Sequence, residues 1–175
     1  NEETVELAEE PATEIRAVVA ADFHVGPYKG TRWTQQVVDR IMAQEPDIIF
    51  LPGDFIFKDA DDADMLEPLG DLSAPYGVYA VTGNHDYMDD ASQYVIDTLV
   101  RHGITVLENE RVRIMIEDRE LVLAGVSDLW YEGSTHRALA GVDSEEMVIL
   151  ISHNPDAVLY SNADRADLVI AGHTH

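Results

Sequence analysis

Carboxylate, amide and imidazole side chains recur in this sequence at the ends of short apolar segments. In chain order they are Asp22, His24, Asp54, Asn84, His85, Asp86, His153, His173 and His175. Oxygen and nitrogen donors of these types bind divalent cations such as Mn, Fe, Zn and Mg. Five of the seven histidines lie at such segment ends, whereas chance placement would scatter them over helices and loops. The pattern therefore predicts a metal centre, although the types of donor do not determine which of these metals is bound.

The spacing within the motifs agrees with joint binding of an ion. Residues two positions apart in an extended segment project to the same side, and both Asp22/His24 and His173/His175 have this spacing. Asp54 follows a glycine that permits a sharp turn, and it is the candidate for a carboxylate that offers one oxygen to each of two ions. Each motif alone is also ordinary turn chemistry, so the prediction depends on their joint occurrence.

The elements that must position these residues alternate between strand and helix patterns. Strands are predicted at 16–21, 47–51, 77–82, 104–107, 111–116, 120–125, 147–151 and 167–171, and helices at 31–44, 90–102 and 134–140. Alternation of this kind predicts an α/β fold. In open α/β sheets the ligand site lies at the carboxyl ends of the strands, which is where the candidate ligands are found.

Length and composition limit the organisation of the chain. Its 175 residues, 46% of them hydrophobic, suffice for one domain with a substantial core. We expect an acidic flexible arm over residues 1–14 and a single domain over residues 15–175. The absence of cysteine excludes disulfides, thiolate metal sites and cysteine nucleophiles. No apolar run approaches the roughly 18 residues of a spanning helix, so the expected location is cytoplasmic or peripheral to a membrane.

The net charge of −23 argues against binding nucleic acid through a basic surface, because neutralising phosphates requires clustered Lys and Arg. Lysine occurs only at Lys29 and Lys58. Such acidity leads to the hypothesis of salt adaptation, since at about 1 M salt the screening length falls to about 3 Å. The alternative is that the acidity only confers solubility. The sequence does not indicate an oligomeric state.

Several other polar or aromatic residues have a structural explanation. The acidic segment 59–64 is interpreted as a solvated helix start, because the central glycine and terminal glutamate of a calcium loop are missing. Trp33 is assigned to packing, His102 to a helix end and His136 to the surface. Asp128 either faces the site or caps the next segment, and capping is favoured.

The five motifs together resemble those of the calcineurin-like metallophosphoesterases. The family pattern runs Asp-x-His, Gly-Asp, Gly-Asn-His-Asp or Glu, a lone His, and Gly-His-x-His, and all five occur in order from Asp22 to His175. The resemblance implies a four-layer α/β/β/α sandwich in which two mixed sheets pack face to face. Family members continue past the last motif with further strands, so we expect a fragment whose second sheet lacks its closing strands.

The resemblance also implies a hydrolase with two divalent metal ions, Mn being favoured over Fe, Zn and Mg. One ion would be held by Asp22, His24, Asp54 and His175, and the other by Asp54, Asn84, His153 and His173. A hydroxide between the ions would attack phosphorus in line with the leaving oxygen, without a protein nucleophile. His85 would stabilise the phosphate and protonate the leaving group, and Asp86 would orient the His85 ring.

The segment around His153 resembles a bacterial branch of the superfamily that includes a membrane-associated UDP-2,3-diacylglucosamine hydrolase. The branch implies hydrolysis of phosphodiester or pyrophosphate bonds, and of phosphomonoesters as a lesser possibility, in small-molecule or lipid-linked substrates. One alternative is a non-catalytic scaffold that keeps the fold, although such scaffolds usually lose metal ligands. Another is an acidic cation-binding module, which would not need histidines at the ends of the strands.

Overall fold

A computed structural model describes residues 2–7, 14–160 and 162–174 of the chain. The strands within these residues are β1 (Ala17–Val19), β2 (Ile48–Pro52), β3 (Val78–Val81), β4 (Thr105–Val106), β5 (Glu110–Ile116), β6 (Arg119–Val126), β7 (Met147–Ser152) and β8 (Leu168–Ala171). The α-helices are α1 (Thr31–Met42), α2 (Ser92–Arg101) and α3 (Thr135–Ala138). Each predicted strand and helix is present, with ends that differ by a few residues.

The strands form two four-stranded sheets, in the orders β1-β2-β3-β4 and β5-β6-β7-β8. In the second sheet β5 is antiparallel to β6 and the other pairs are parallel, which is the mixed sheet expected. The first sheet is parallel throughout its described strands, so the expectation that it is mixed was wrong. The reason is that α1, a 3₁₀ segment and α2 connect its successive strands, and each crossover returns the chain to the same starting edge.

The apolar side chains fill three interfaces between four layers. β2 is buried on both faces: Ile49 and Leu51 pack towards the helices of the first sheet, while Ile48 and Phe50 pack against the second sheet. On the outer face of the second sheet, β6 and β7 pack against α3. The α/β/β/α arrangement is therefore confirmed, and a continuous apolar run such as β2 is what a strand buried on both faces requires.

The helical segments cover the outer face of the first sheet as expected. Trp33 packs against the core of this layer, with its ring 6.0 Å from that of Phe23 in an edge-on arrangement, which confirms its packing role. The acidic segment opens a 3₁₀ segment, Ala60–Asp71, in which Leu66 is buried. Pro68 lies inside this segment and lacks the N–H that an α-helical ladder needs.

The loops that follow β1 and β2 continue side by side beyond the strands. Asp22 N–H donates to the Gly53 carbonyl at 3.1 Å, and His24 N–H donates to the Asp54 carbonyl at 3.0 Å. The second sheet reaches the same edge, because Nδ1 of His153 lies 2.8 Å from the Pro52 carbonyl oxygen. The carboxyl ends of β1, β2 and β7 therefore meet.

The amino-terminal residues 2–7 have no regular secondary structure, and Leu7 packs against the core between the two sheets. Most of the remainder of the predicted arm, residues 8–13, lies outside the described residues, so its boundary stays a prediction. Of the helices described, none combines the length and apolar character needed to cross a bilayer.

Candidate metal centre

Asp54 occupies the centre of the site. It follows β2 through Gly53, whose φ of +83° is a conformation that favours glycine. Asp54 is 2% exposed, and its Oδ2 lies 3.4 Å from His24 Nε2 and 3.3 Å from His153 Nε2. Its Oδ1 accepts a hydrogen bond of 2.9 Å from the backbone N–H of His85. A single oxygen therefore faces two imidazoles, whereas we had expected one oxygen for each ion.

His153 brings three other donor atoms together. Its Nδ1 carries the proton that it donates to the Pro52 carbonyl, so Nε2 of the neutral ring presents a lone pair. Within 3.1–3.3 Å of this Nε2 lie His173 Nδ1, Asn84 Oδ1 and Asp54 Oδ2. Electron-pair donors that converge in this way repel one another unless a ring gains a proton or a cation lies among them. The donor set fits a divalent cation.

A second group lies on the other side of Asp54. Ligand atoms of His24, Asp54 and His85 lie within 4.8 Å of one another, and the rings of His24 and His85 meet edge-on at 4.5 Å. Asp22 lies beside the group of His153 and His173, since its Oδ1 and Oδ2 each lie 3.2 Å from the backbone N of His173. The structure thus gathers the predicted ligands among the described residues. His175 lies outside them.

Four of these ligands have unusual backbone conformations. The φ angles are +59° for Asp22, +45° for His24, +57° for Asp54 and +71° for His173. Left-handed conformations cost free energy in residues other than glycine, and they persist where surrounding contacts enforce them, typically at functional sites. The loops are therefore shaped to aim these side chains inwards.

Asp86 is fully buried and supports the backbone beneath Asp54. Its Oδ2 accepts hydrogen bonds from Asp54 N–H at 3.0 Å and Gly83 N–H at 2.8 Å. Its Oδ1 accepts from Phe55 N–H at 2.8 Å and Ile56 N–H at 3.2 Å. Burial raises the pKa of Asp86 to about 7, and the backbone donors act in the opposite direction.

The ring of His85 is oriented by a backbone carbonyl. Its Nδ1 lies 2.6 Å from the Phe57 oxygen, so a neutral ring carries its proton there and presents Nε2 on its other side. The prediction that Asp86 orients this ring was wrong, because the carboxylate is engaged by four backbone donors of the surrounding loops. Asp86 acts on the position of Asp54 instead.

Burial and Asp54 both act on the protonation states of the ligands. Burial acts to lower the pKa of His153, but the hydrogen bond and charge interaction with Asp54 outweigh it and raise that pKa, so a cation that binds here displaces a proton. Burial lowers the pKa of His24, which favours the neutral ring that a metal needs. Burial acts to raise the pKa of Asp54, but the hydrogen bond and charge interaction with His153 outweigh it and lower that pKa below its usual value. Asp54 is therefore an ionised carboxylate between imidazoles.

Other residues singled out from the sequence are placed as follows. Asp128 Oδ1 accepts a hydrogen bond of 2.9 Å from Trp130 N–H, so it caps the turn that follows, and its charge interactions with His153 and His173 also place this buried carboxyl beside the centre. His102 caps the end of α2, as expected, and His136 is exposed. Sequence reasoning missed Phe57, because a role played by a backbone carbonyl is independent of the side-chain type.

Comparison with known proteins agrees with this geometry. Residues 15–175 match the family described as calcineurin-like phosphoesterase. The chain belongs to this family. An uncharacterized metallophosphoesterase of Aquifex aeolicus is 35% identical over 98% of this chain and 67% of that protein. Membership supports a metal-dependent phosphoesterase function in general terms.

Two further relatives carry descriptive names. A transmembrane protein with metallophosphoesterase domain from Danio rerio is 31% identical over 98% of this chain and 42% of that protein. The phosphodiesterase YaeI of Escherichia coli is 27% identical over 94% of this chain and 62% of that protein. The chain therefore spans less than half the length of the Danio rerio relative and under two thirds of the bacterial enzyme.

Proposed function

We propose that this domain hydrolyses phosphodiester or pyrophosphate bonds with two divalent metal ions. The observation that carries the proposal is the position of Asp54 Oδ2, at 3.4 Å from His24 Nε2 and 3.3 Å from His153 Nε2. A centre with two ions needs a carboxylate between its two sets of ligands. Asp54 is the residue that meets this need.

The proposed ligands form two sets, one for each ion, and Asp54 belongs to both. One ion would be held by Asp22, His24, Asp54 and His175, and the other by Asp54, Asn84, His153 and His173. Mn²⁺ is the proposed metal, although Fe, Zn and Mg suit the same nitrogen and oxygen donors. When bound, the ions supply Lewis acidity and lower the pKa of coordinated water.

The residues of the chain supply proton transfer and position. His85 in its doubly protonated form gives the proton on Nε2 to the leaving oxygen, while its Nδ1–H stays hydrogen-bonded to the Phe57 carbonyl. The backbone N–H of His85 donates to Asp54 Oδ1 at 2.9 Å, so the acid and the shared carboxylate are fixed relative to each other. Asp86 holds the backbone of Asp54 and Gly83 in this arrangement.

The proposed substrates are phosphorylated small molecules or lipid-linked diphosphates. The name phosphodiesterase given to the Escherichia coli relative supports the diester part of this proposal. The proposed location of this domain is cytoplasmic or peripheral to a membrane; the Danio rerio relative, of which the chain covers 42%, is named a transmembrane protein. The net charge of −23 disfavours nucleic acid held by a basic surface.

A hydrolysis assay tests the proposal and separates it from a non-catalytic scaffold. The substrates are bis(p-nitrophenyl) phosphate and p-nitrophenyl phosphate with Mn²⁺. We expect turnover by the natural chain, loss of turnover in Asp54→Ala, and a kcat lower by about 10²–10⁴-fold in His85→Ala. The exposed His136→Ala is the control and should match the natural chain. Equal rates in all four proteins, or no turnover in any, would refute the enzyme proposal.

A further inference from the structure

A cavity of about 260 Å³ opens beside the proposed acid His85. Its lining residues are His24, Tyr28, Lys29, Phe57 and His85. His24 and His85 belong to the proposed centre, whereas the side chains of Tyr28, Lys29 and Phe57 have no part in it so far. Because His85 would protonate the leaving oxygen, a cavity that shares this wall is placed to receive the group that departs.

Two aromatic rings form the outer wall of this cavity. Tyr28 is 92% exposed and Phe57 is 42% exposed, and the Phe57 ring lies 5.7 Å from that of His85. Single exposed rings are ordinary, but two that line one cavity at a proposed reaction centre form an apolar surface. The backbone of the turn that carries Tyr28 is closed by hydrogen bonds of 2.8 and 3.3 Å between Gly26 and Lys29.

Lys29 places one positive charge on the wall of this cavity. Lys29 Nζ lies 3.4 Å from the Asp22 carbonyl oxygen and 4.7 Å from the centre of the Trp33 ring. Lys58 follows Phe57 in sequence and pairs with Asp89 at 3.2 Å. These are the only lysines of a chain whose net charge is −23. Lys29 therefore offers an anion a local attraction on a surface that otherwise repels it.

The size of the cavity restricts its occupant. Pockets that enclose drug-sized ligands measure about 300–1,000 Å³, so a cavity of about 260 Å³ accommodates one ring system. A flat ring that packs on Tyr28 and Phe57 gains aromatic contacts that an alkyl group of similar size does not make.

We propose that this cavity is the leaving-group subsite for an aromatic alcohol, so that anionic phosphodiesters of a single-ring aryl or heteroaryl alcohol are the preferred substrate class. The inference rests on the proposed function. In the reaction, the oxygen of water bonds to phosphorus and a proton of that water passes to solvent. The bond from phosphorus to the aromatic oxygen breaks, and that oxygen gains the Nε2 proton of doubly protonated His85, which takes up a proton from solvent again. Tyr28 and Phe57 hold the departing ring, and Lys29 attracts the anion.

Direct binding of two phosphonates tests the subsite. Dissociation constants of phenylphosphonate and methylphosphonate are measured by calorimetry with the full chain in Mn²⁺. In the natural protein we expect phenylphosphonate to bind about tenfold more tightly. The ratio of the methylphosphonate to the phenylphosphonate dissociation constant should fall close to one in Tyr28→Ala and in Phe57→Ala. The Phe57→Ala variant keeps the backbone carbonyl that orients His85. Both side chains are exposed, and circular dichroism checks that each variant is folded.

Two further variants, each of which removes an aromatic side chain outside the cavity, test where the phenyl ring of the ligand binds. Tyr94→Ala removes a partly exposed ring from α2 and should keep the preference. Trp130→Ala removes an exposed ring that lies 5.2 Å from that of His173, on the other side of the centre. The subsite is refuted if the natural chain binds both phosphonates equally, or if only Trp130→Ala abolishes the preference. Those outcomes leave the proposed function intact, whereas absence of phosphoester turnover in the natural chain refutes the function and the subsite together.

Discussion

The Asp86 carboxylate accepts a hydrogen bond of 3.0 Å from the backbone N–H of Asp54, so a residue after β3 fixes the loop that follows β2. The same oxygen accepts from Gly83 N–H at 2.8 Å. The fully buried carboxylate of Asp86 therefore fixes the backbone of Asp54, whose own carboxylate is shared in the proposed centre. Stability and metal binding should be coupled through this pair.

Asp86→Asn should destabilise the fold. An amide has one acceptor oxygen, so two of the four backbone donors would face an NH₂ group, and each buried group left unsatisfied costs about 1–3 kcal/mol. Urea unfolding of the chain without added metal measures the loss. Asp90→Asn is the control, because Asp90 is exposed and its φ of +58° is tolerated by asparagine. Equal stability of the two variants would contradict this role of Asp86.

Gly83→Ala should disturb both sets of ligands. A methyl group at Gly83 would overlap Asp54 Oδ1 and lie 2.8 Å from His153 Cγ, so both side chains would have to move. We expect a stability loss of about 1–3 kcal/mol and weaker Mn²⁺ binding. Gly30→Ala is the matched control, since its methyl group would meet only the Met65 sulfur at 3.8 Å. Unchanged Mn²⁺ affinity in Gly83→Ala would show that the close approach of Gly83 to Asp54 and His153 does not matter for metal binding.

The fold and the ligand set could be predicted because both leave side-chain patterns. β2 is a continuous run of apolar residues, which is the sequence signature of a parallel strand buried on both faces, and Asp54 follows it after Gly53. The sheet edge then brings distant residues such as Asp22 and His173 together. The expectation of a mixed first sheet came from the family resemblance, whereas the predicted helices between its strands already favour parallel pairing.

The fine structure of the site could not be predicted because it depends on the backbone. Phe57 orients His85 through its carbonyl, and any residue type provides a carbonyl. Asp86 follows His85 in the sequence, which suggested that its carboxylate orients the His85 ring. In the structure that carboxylate instead accepts hydrogen bonds from buried backbone N–H groups after β2. The left-handed conformation of Asp54 could not be predicted either, because aspartate is common in turns of many conformations.

Removing the two lysines should slow capture of anionic substrates. In the double variant Lys29→Gln/Lys58→Gln, kcat/KM for bis(p-nitrophenyl) phosphate should fall and become less dependent on salt, because the local attraction is lost. Arg40→Gln/Arg119→Gln makes the same change in net charge at exposed positions away from the cavity. If the two double variants behave alike, then overall charge and not the position of the lysines controls capture.

Salt should stabilise the fold if the acidity reflects salt adaptation. The net charge of −23 produces repulsion that is screened at about 1 M salt, so the thermal midpoint should rise by several degrees from low salt to that concentration. Thermal unfolding in KCl at constant pH measures this. A midpoint that stays level or falls would indicate that the acidity serves solubility alone.

Counting bound metal tests the central claim most directly. Equilibrium dialysis against Mn²⁺, followed by elemental analysis, gives the ions bound per chain in the natural protein, in Asp54→Ala and in His85→Ala. We predict about two ions for the natural chain and for His85→Ala, and loss of both in Asp54→Ala, because Asp54 Oδ2 faces both ligand groups. A natural chain that binds no Mn²⁺, or an Asp54→Ala variant that keeps both ions, would contradict a centre built around Asp54.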